Sequence, residues 1–190
     1  MEADIMERLV LLVSKFLLAI GLTACSSDHS FIEKNSEELN LRKKVVEFNK
    51  VPYTGFVYDL YESGDTISTE FYKNGLKHNS WKKFYPGGSL KEVRFFKNGE
   101  KEGKYEGFYV NGNKNFSFNF LNNEYHGTNS IWTKDGLLIE ELNYYHGYEK
   151  GSQKTWYLDG KIKSNYVIKN NRRYGLLGTK NCVNASEKIF

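Results

Sequence analysis

Between residues 43 and 175, short runs of aromatic and β-branched residues alternate with turn residues, and the pattern returns every 24 positions. Leu60, Phe84, Phe108, Trp132 and Trp156 fall in one apolar column. Tyr72, Phe96, Phe120, Tyr144 and Ile168 fall in a second, and Phe48 stands in that column one period earlier. The runs between turns, such as Ser80-Trp81-Lys82-Lys83-Phe84-Tyr85, have the length and composition of strands and are too short for helices. Fixed spacing of this kind marks a repeat architecture.

The turn positions are as regular as the apolar ones. Gly64, Gly88, Gly112, Gly136 and Gly160 form one set. Gly75, Gly99, Asn123, Gly147 and Asn171 form a second, and Gly55, Asn79, Gly103, Gly127, Gly151 and Gly175 a third. All are Gly or Asn, the residues that best tolerate φ > 0. Asn74-Gly75 and Asn98-Gly99 are strong hairpin signals, echoed by Asp135-Gly136 and Asp159-Gly160 on the other rim. Five full repeats, a leading strand over residues 43–49 and a closing segment predict an all-β fold of about eleven antiparallel strands, on the order of 50 Å long. The expected form is a curled meander, or solenoid-like extended sheet, stabilised by neighbour contacts. Asn79, Asn119, Asn143 and Thr133 interrupt the pattern and predict locally different packing in the middle repeats. The aromatic columns read either as core or as a stacking platform for a ligand. Core is the expectation, because the chain must bury its largest apolar groups.

The N-terminus belongs to another kind of sequence. Arg8 and Lys15 accompany an apolar stretch that ends in Phe16 to Leu22 and runs into Leu22-Thr23-Ala24-Cys25. A basic start, a short apolar run and small residues before a cut describe a secretory signal, shorter than a membrane-spanning helix needs. A buried core helix is the alternative and fits badly, since polar residues follow from Ser26 without turn chemistry. Leu-Thr-Ala-Cys resembles the lipobox of bacterial lipoproteins. That resemblance implies a signal peptide over 1–24, a lipidated Cys25 at the start of the mature protein, and attachment to the membrane through several acyl chains. Ser26, where inner-membrane lipoproteins often carry Asp, favours the outer membrane. Glu2, Asp4 and Glu7 are unusual in a signal and raise Met6 as an alternative start. Residues 25–42 read as a flexible tether, 43–175 as the repeat domain, and 176–190 as a C-terminal cap.

Charge and chemistry narrow the function by exclusion. A formal net charge of +4 is too weak to argue for nucleic acid. With Cys25 spent on lipid, Cys182 has no disulfide partner. It reads as part of a capping tail, or alternatively as a thiol beside Lys180, Arg172 and Arg173. His78 and His126 share one repeat position but stand two repeats apart, about 19 Å, which is too far for a shared metal. Glu140 and Glu141 point to opposite faces of a strand. No nucleophile set, phosphate loop or CxxC appears, so no enzyme, metal or cofactor is expected. The turns of one rim gather Lys73, Lys77, Lys97, Lys101, Lys150, Lys169, Arg172 and Arg173, against Glu100, Glu102, Glu124 and Glu149. Glu62, Asp65, Asp135 and Asp159 lie on the other, against Lys134 and Lys161. Ordinary solvated turns are the plainer reading of this asymmetry, and an oriented docking rim the sharper one.

The unit G-x-W-x-x-[FY]-Y-x-x-G-x-[LI]-K…[FY]-x-N-G resembles the MORN-repeat variant of many bacterial proteins. Pro52-Tyr53-Thr54-Gly55 is similar to the opening of proteins grouped as YwqK-type antitoxins. The resemblance covers residues 43–175 and implies a β-repeat fold without shared catalytic residues. Together these readings predict a non-catalytic envelope lipoprotein that acts as a scaffold or binding module for another envelope protein. Recognition of a cell-wall or surface glycan is the alternative, and neutralisation of a toxin is a third reading that rests on the family grouping alone.

Overall fold

The computed structural model describes residues 30–178. The leader, Cys25, Cys182 and most of the expected cap therefore lie outside the described residues. Sixteen strands and no helix occur among them. The chain opens with four short strands: β1 (Ser30–Glu33), β2 (Leu39–Asn40), β3 (Glu47–Phe48) and β4 (Val51–Pro52). Then come β5 (Gly55–Leu60), β6 (Thr66–Lys73), β7 (Leu76–Phe84), β8 (Leu90–Lys97), β9 (Glu100–Phe108) and β10 (Lys114–Leu121). The last six are β11 (Glu124–Tyr125), β12 (Gly127–Trp132), β13 (Leu138–Tyr145), β14 (Tyr148–Trp156), β15 (Ile162–Lys169) and β16 (Arg172–Leu176).

Thirteen strands form one open sheet, in the order β1-β5-β6-β7-β8-β9-β10-β12-β13-β14-β15-β16, with β11 also paired to β10. From β5 onward every pairing is antiparallel and, apart from β10 with β12, joins strands consecutive along the chain. The sheet is nevertheless mixed, because β1 pairs parallel to β5, Ser30 opposite Gly55 and Glu33 opposite Tyr58. β2, β3 and β4 make a separate three-stranded sheet.

Two sequence expectations fail here. The described part of the tether, residues 30–42, is folded onto the domain. Phe31 stacks on Phe56 at 5.0 Å, and the Tyr53 hydroxyl donates to the Ser30 and Phe56 carbonyls at 2.8 and 3.0 Å. Leu39 is buried. Residues 43–49 do not lead the large sheet either; Glu47–Phe48 pairs with Leu39–Asn40 and with Val51–Pro52 in the small one. The apolar residues of this segment are too few and irregular to show period two, and packing against β5–β7 decides their place.

The turns follow from the residues that make them. Asn74-Gly75, Asn98-Gly99, Asn122-Asn123, His146-Gly147 and Asn170-Asn171 have both φ angles positive. That is the type I′ geometry whose twist matches a tight hairpin. On the other rim, Gly64, Gly88, Gly112, Gly136 and Gly160 each donate an N–H to the carbonyl three residues back. The third set of turn residues lies inside the strands. Asn79, Gly103 and Gly151 have φ of 54°, 76° and 76° and sit in bulges. The register passes from Glu70–Trp81 directly to Tyr72–Lys77, and from Leu142–Gln153 to Tyr144–Glu149. One residue therefore faces three on the bulged strand.

The apolar core sits at one end of the sheet. Leu39, Val46, Tyr53, Val57 and Tyr72 form it, with Ile32, Leu41, Phe48 and Trp81 packed against them. Phe71, Val93 and Phe96 are the remaining buried hydrophobics. Beyond β9 the buried side chains are polar: Asn129, Ser130, Gln153 and Ser164. Two of them have a clear task. A bulge deprives the single facing residue of its ladder partners, and a buried backbone group without a partner is costly. Gln153 Oε1 accepts from the Asn143 N–H at 3.0 Å, and its Nε2 donates to the Asn143 carbonyl at 2.8 Å. Asn129 Oδ1 accepts from the Asn119 N–H at 2.8 Å. In β7, Trp81 stands at the corresponding place and donates its indole N–H to the Phe71 carbonyl at 3.1 Å.

Candidate binding face

The bulges also decide which residues stand opposite one another on the cored face. Tyr72 pairs with Lys77, Phe96 with Lys101, Phe120 with Tyr125, Tyr144 with Glu149 and Ile168 with Arg173. The second apolar column thus lies beside a column of mostly charged residues. Next to both runs a file of rings. Trp81 lies 5.4 Å from Tyr72 and 5.0 Å from Phe96. Farther along, Tyr105 meets Phe116 at 4.6 Å, Phe116 stacks on Phe118 at 4.8 Å, and Tyr125 links Phe118 to Tyr144 at 5.8 and 5.2 Å. From Trp81 to Tyr144 these rings are only partly buried, apart from Phe96 at 7% exposure and the more open Tyr125 at 36%.

Cations sit on the rings. Lys77 Nζ is 4.3 Å from the Trp81 ring centre and 5.4 Å from that of Phe96. The Arg94 guanidinium lies 4.0 Å over Tyr105, and Lys101 Nζ 5.0 Å over Phe120. Each contact of this kind contributes about 0.5–2 kcal/mol, more as water is excluded. Among the described residues, no carboxylate comes within 4.0 Å of Lys77 or Lys101. Burial holds the Lys77 ammonium below its ordinary pKa, Arg94 and Lys101 add to that, and Glu70 opposes it.

Two acids share this face and are engaged. Glu70 accepts from the Tyr72 hydroxyl at 3.0 Å and lies 3.7 Å from Lys34. Burial, then the charge and hydrogen bond of Glu70, push the Tyr72 hydroxyl upward. Glu92 accepts from Tyr105 at 2.6 Å and from Lys83 at 2.9 Å, with Arg94 at 3.4 Å. Burial alone would raise the Glu92 carboxyl. The hydrogen bonds from Tyr105 and Lys83, with the charges of Arg94 and Lys83, outweigh it and leave the group lowered. Tyr105 is pushed up to about 12, by burial first and by Glu92 next.

Three grooves line up along the file. One of ≈ 760 Å³ runs from the 41–46 segment to Trp81. A second of ≈ 220 Å³ continues over Glu70, Lys77, Trp81, Glu92 and Arg94, and a third of ≈ 100 Å³ lies between Arg94, Lys101, Tyr105 and Tyr125. A separate groove of ≈ 860 Å³ opens at the rim, between the 145–148 turn and Lys169, Asn170, Asn171 and Arg173.

The rim residues singled out by sequence separate into two groups. Lys73, Lys97 and Lys169 close their strands, and Arg172 opens β16 opposite Lys169. Lys77, Lys101 and Arg173 stand on the ringed face instead, Arg173 5.3 Å over Tyr166 and paired to Glu149 at 3.0 Å. Sequence reasoning missed Arg94, Tyr105, Glu70 and Glu92. The signal was present in their spacing, since Glu70 and Arg94, and Trp81 and Tyr105, are each 24 positions apart, but the bulges hid which of them stand opposite one another. It also missed that His126 and His146 stand ring against ring at 5.3 Å, with the Tyr145 ring in contact with both. No group of three or more His, Cys, Asp or Glu able to hold a metal occurs among the described residues.

No family model matches this chain, and no curated protein is similar to it. Among solved structures, the crystal structure of TarM matches at 17% identity with a TM-score of 0.33, over 58% of this chain and 21% of that one. This chain spans about a fifth of that structure's length, and a similarity this low bears on neither its fold nor its function.

Proposed function

We propose that the protein is a lipid-anchored, non-catalytic binding module of the bacterial cell envelope, built from 24-residue hairpin repeats. In this reading Cys25 carries the acyl chains and the ringed face between β6 and β13 meets the partner. The partner is an envelope component, another protein or a glycan, and not nucleic acid.

The observation that carries the reading is the division of the sheet into a cored end and an open, ringed remainder. A sheet that needed its aromatics only for packing would cover them, and among the described residues the covering layer is the 30–53 segment. Half-open aromatics in a row, flanked by two lysines with no carboxylate within 4.0 Å among the described residues, are what a protein keeps for a ligand. The repeat reading is supported by strand starts: Thr66, Leu90, Lys114, Leu138 and Ile162 open one series, and Leu76, Glu100, Glu124, Tyr148 and Arg172 the other. The glycan side of the proposal draws on the same face, because aromatic rings beside carboxylates and a guanidinium suit sugar rings and their hydroxyls.

The test is retention. Purified full-length protein is immobilised and challenged with a native envelope extract, beside a Trp81→Ala variant. Material held by the parent and released from the variant supports the reading. Equal retention by both, or none, overturns it.

A further inference from the structure

Lys77 and Lys101 are 24 positions apart in sequence. In space they are two strands apart, about 10 Å along the sheet. Each stands beside a ring of the second apolar column, Phe96 or Phe120, and neither has a carboxylate within 4.0 Å among the described residues. Between them Arg94 lies over Tyr105, and Glu70 and Glu92 sit in the same grooves with acceptor capacity remaining on their oxygens. A ligand that fits this file runs across the strands and repeats its negative charge about every 10 Å. It also presents flat apolar faces to the rings and hydroxyl donors to the two acids.

We infer that the face from Lys77 to Lys101 binds a linear anionic polysaccharide, with the carboxylates of alternate sugars seated on the two lysines. This rests on the binding-module reading above and names its ligand. Two 1,4-linked pyranoses in an extended chain cover the distance from one lysine to the other. Their ring faces meet the partly open Trp81 and Phe120, and their hydroxyls donate to Glu70 and Glu92. Nucleic acid fits poorly, because its more closely spaced phosphates would lie against those same acids. An extended acidic peptide is matched to a strand edge and not to a path across strands.

The probe is a β-1,4-linked mannuronate hexamer, a two-fold ribbon that turns every second carboxylate to the same side. Binding to the full-length protein is followed by calorimetry and by indole fluorescence, with cellohexaose, oligo(dT) and poly-glutamate as comparisons. The expected result is saturable binding of the hexamer that weakens with salt, with none of comparable strength for the other three. Replacing both face lysines (Lys77→Gln with Lys101→Gln) lowers affinity about tenfold or more. The matched rim change (Lys73→Gln with Lys97→Gln) removes the same charge and leaves affinity within about twofold. Equal loss in both double variants reduces the effect to net charge and overturns the inference. So does oligo(dT) or poly-glutamate binding as tightly as the hexamer. If the hexamer fails while envelope material is still held through Trp81, the ligand assignment falls and the binding-module reading stands. If nothing is held in either experiment, both fall.

Discussion

A single tyrosine position ties neighbouring hairpins together. The hydroxyls of Tyr61, Tyr85 and Tyr109 donate to the carbonyls of Phe84, Phe108 and Trp132 at 3.0, 2.9 and 2.9 Å. At Thr133 the side chain is too short to reach across and accepts from its own turn at Leu137 instead. Tyr85→Phe removes one bond and leaves a partly buried carbonyl without its donor. A cost of about 1 kcal/mol is expected, read as a lower urea midpoint at unchanged slope. Glu140 supplies a test of opposite sign. Burial, then the charge of Glu149, raise its carboxyl above the ordinary value of 4.5, and Lys163 only partly offsets them. A raised carboxyl means that the folded state holds the proton more tightly than the unfolded one. Stability is therefore lost as pH rises through 4.5 toward the folded value, and the penalty is fully present at neutral pH. Glu140→Gln is expected to raise the Tm at pH 7, and the gain to vanish below pH 4.5. An unchanged Tm at pH 7 would remove the burial argument.

Hairpins with the same turn chemistry carry different loads. Gly75 and Gly99 both have positive φ, at 74° and 91°. A Cβ at Gly99 meets only Leu76 Cδ2, at 3.8 Å, whereas one at Gly75 runs into Val45 and the Val46 backbone. Gly99→Ala is expected to cost about 1 kcal/mol, from backbone conformation alone. Gly75→Ala adds a clash with the 45–46 segment and is expected to cost at least about 2 kcal/mol. Denaturation midpoints of the two variants decide this, and equal losses would mean that the 39–53 segment does not rest on the turn. The same contrast marks what the sequence could and could not disclose. The type I′ turns and the two apolar columns were legible because Asn-Gly pairs and recurring aromatics act locally. The bulges were not, because Asn79, Gly103 and Gly151 looked like turn residues and nothing in their identity says that they sit inside a strand. Since each bulge slides the register by two residues and so changes which side chains stand opposite one another, the file of Arg94, Tyr105 and the two acids was hidden with them. Asn119 and Asn143 were visible only as departures. Their carboxamides bond across the bulges, Asn143 to the Ser152 carbonyl at 2.6 Å and Asn119 to that of Thr128.

A sheet of this form holds its stability unevenly along its length. At the β5–β8 end, the 30–53 segment covers the face with Leu39, Val46 and Tyr53, and Val57 is fully buried. At the other end β16 is exposed along its whole length, with Tyr174 at 54% and Leu176 at 52% exposure. Antiparallel pairing alone contributes little without a covered face, and a sheet held by neighbour pairings opens from the end where contacts are weakest. Native-state hydrogen exchange is therefore expected to show a gradient. Amides of β6 and β7 should exchange only with global unfolding, and those of β15 and β16 through cheaper local opening. Partial occupancy of the ringed face should slow exchange in β7–β10 and leave β15 and β16 unchanged, since the two lysines assigned to the ligand lie on β7 and β9. Uniform protection from β5 to β16 would show that the open face is covered by something other than the 30–53 segment. In that case the aromatics beyond β9 are core after all, and a ligand must be sought at the rim.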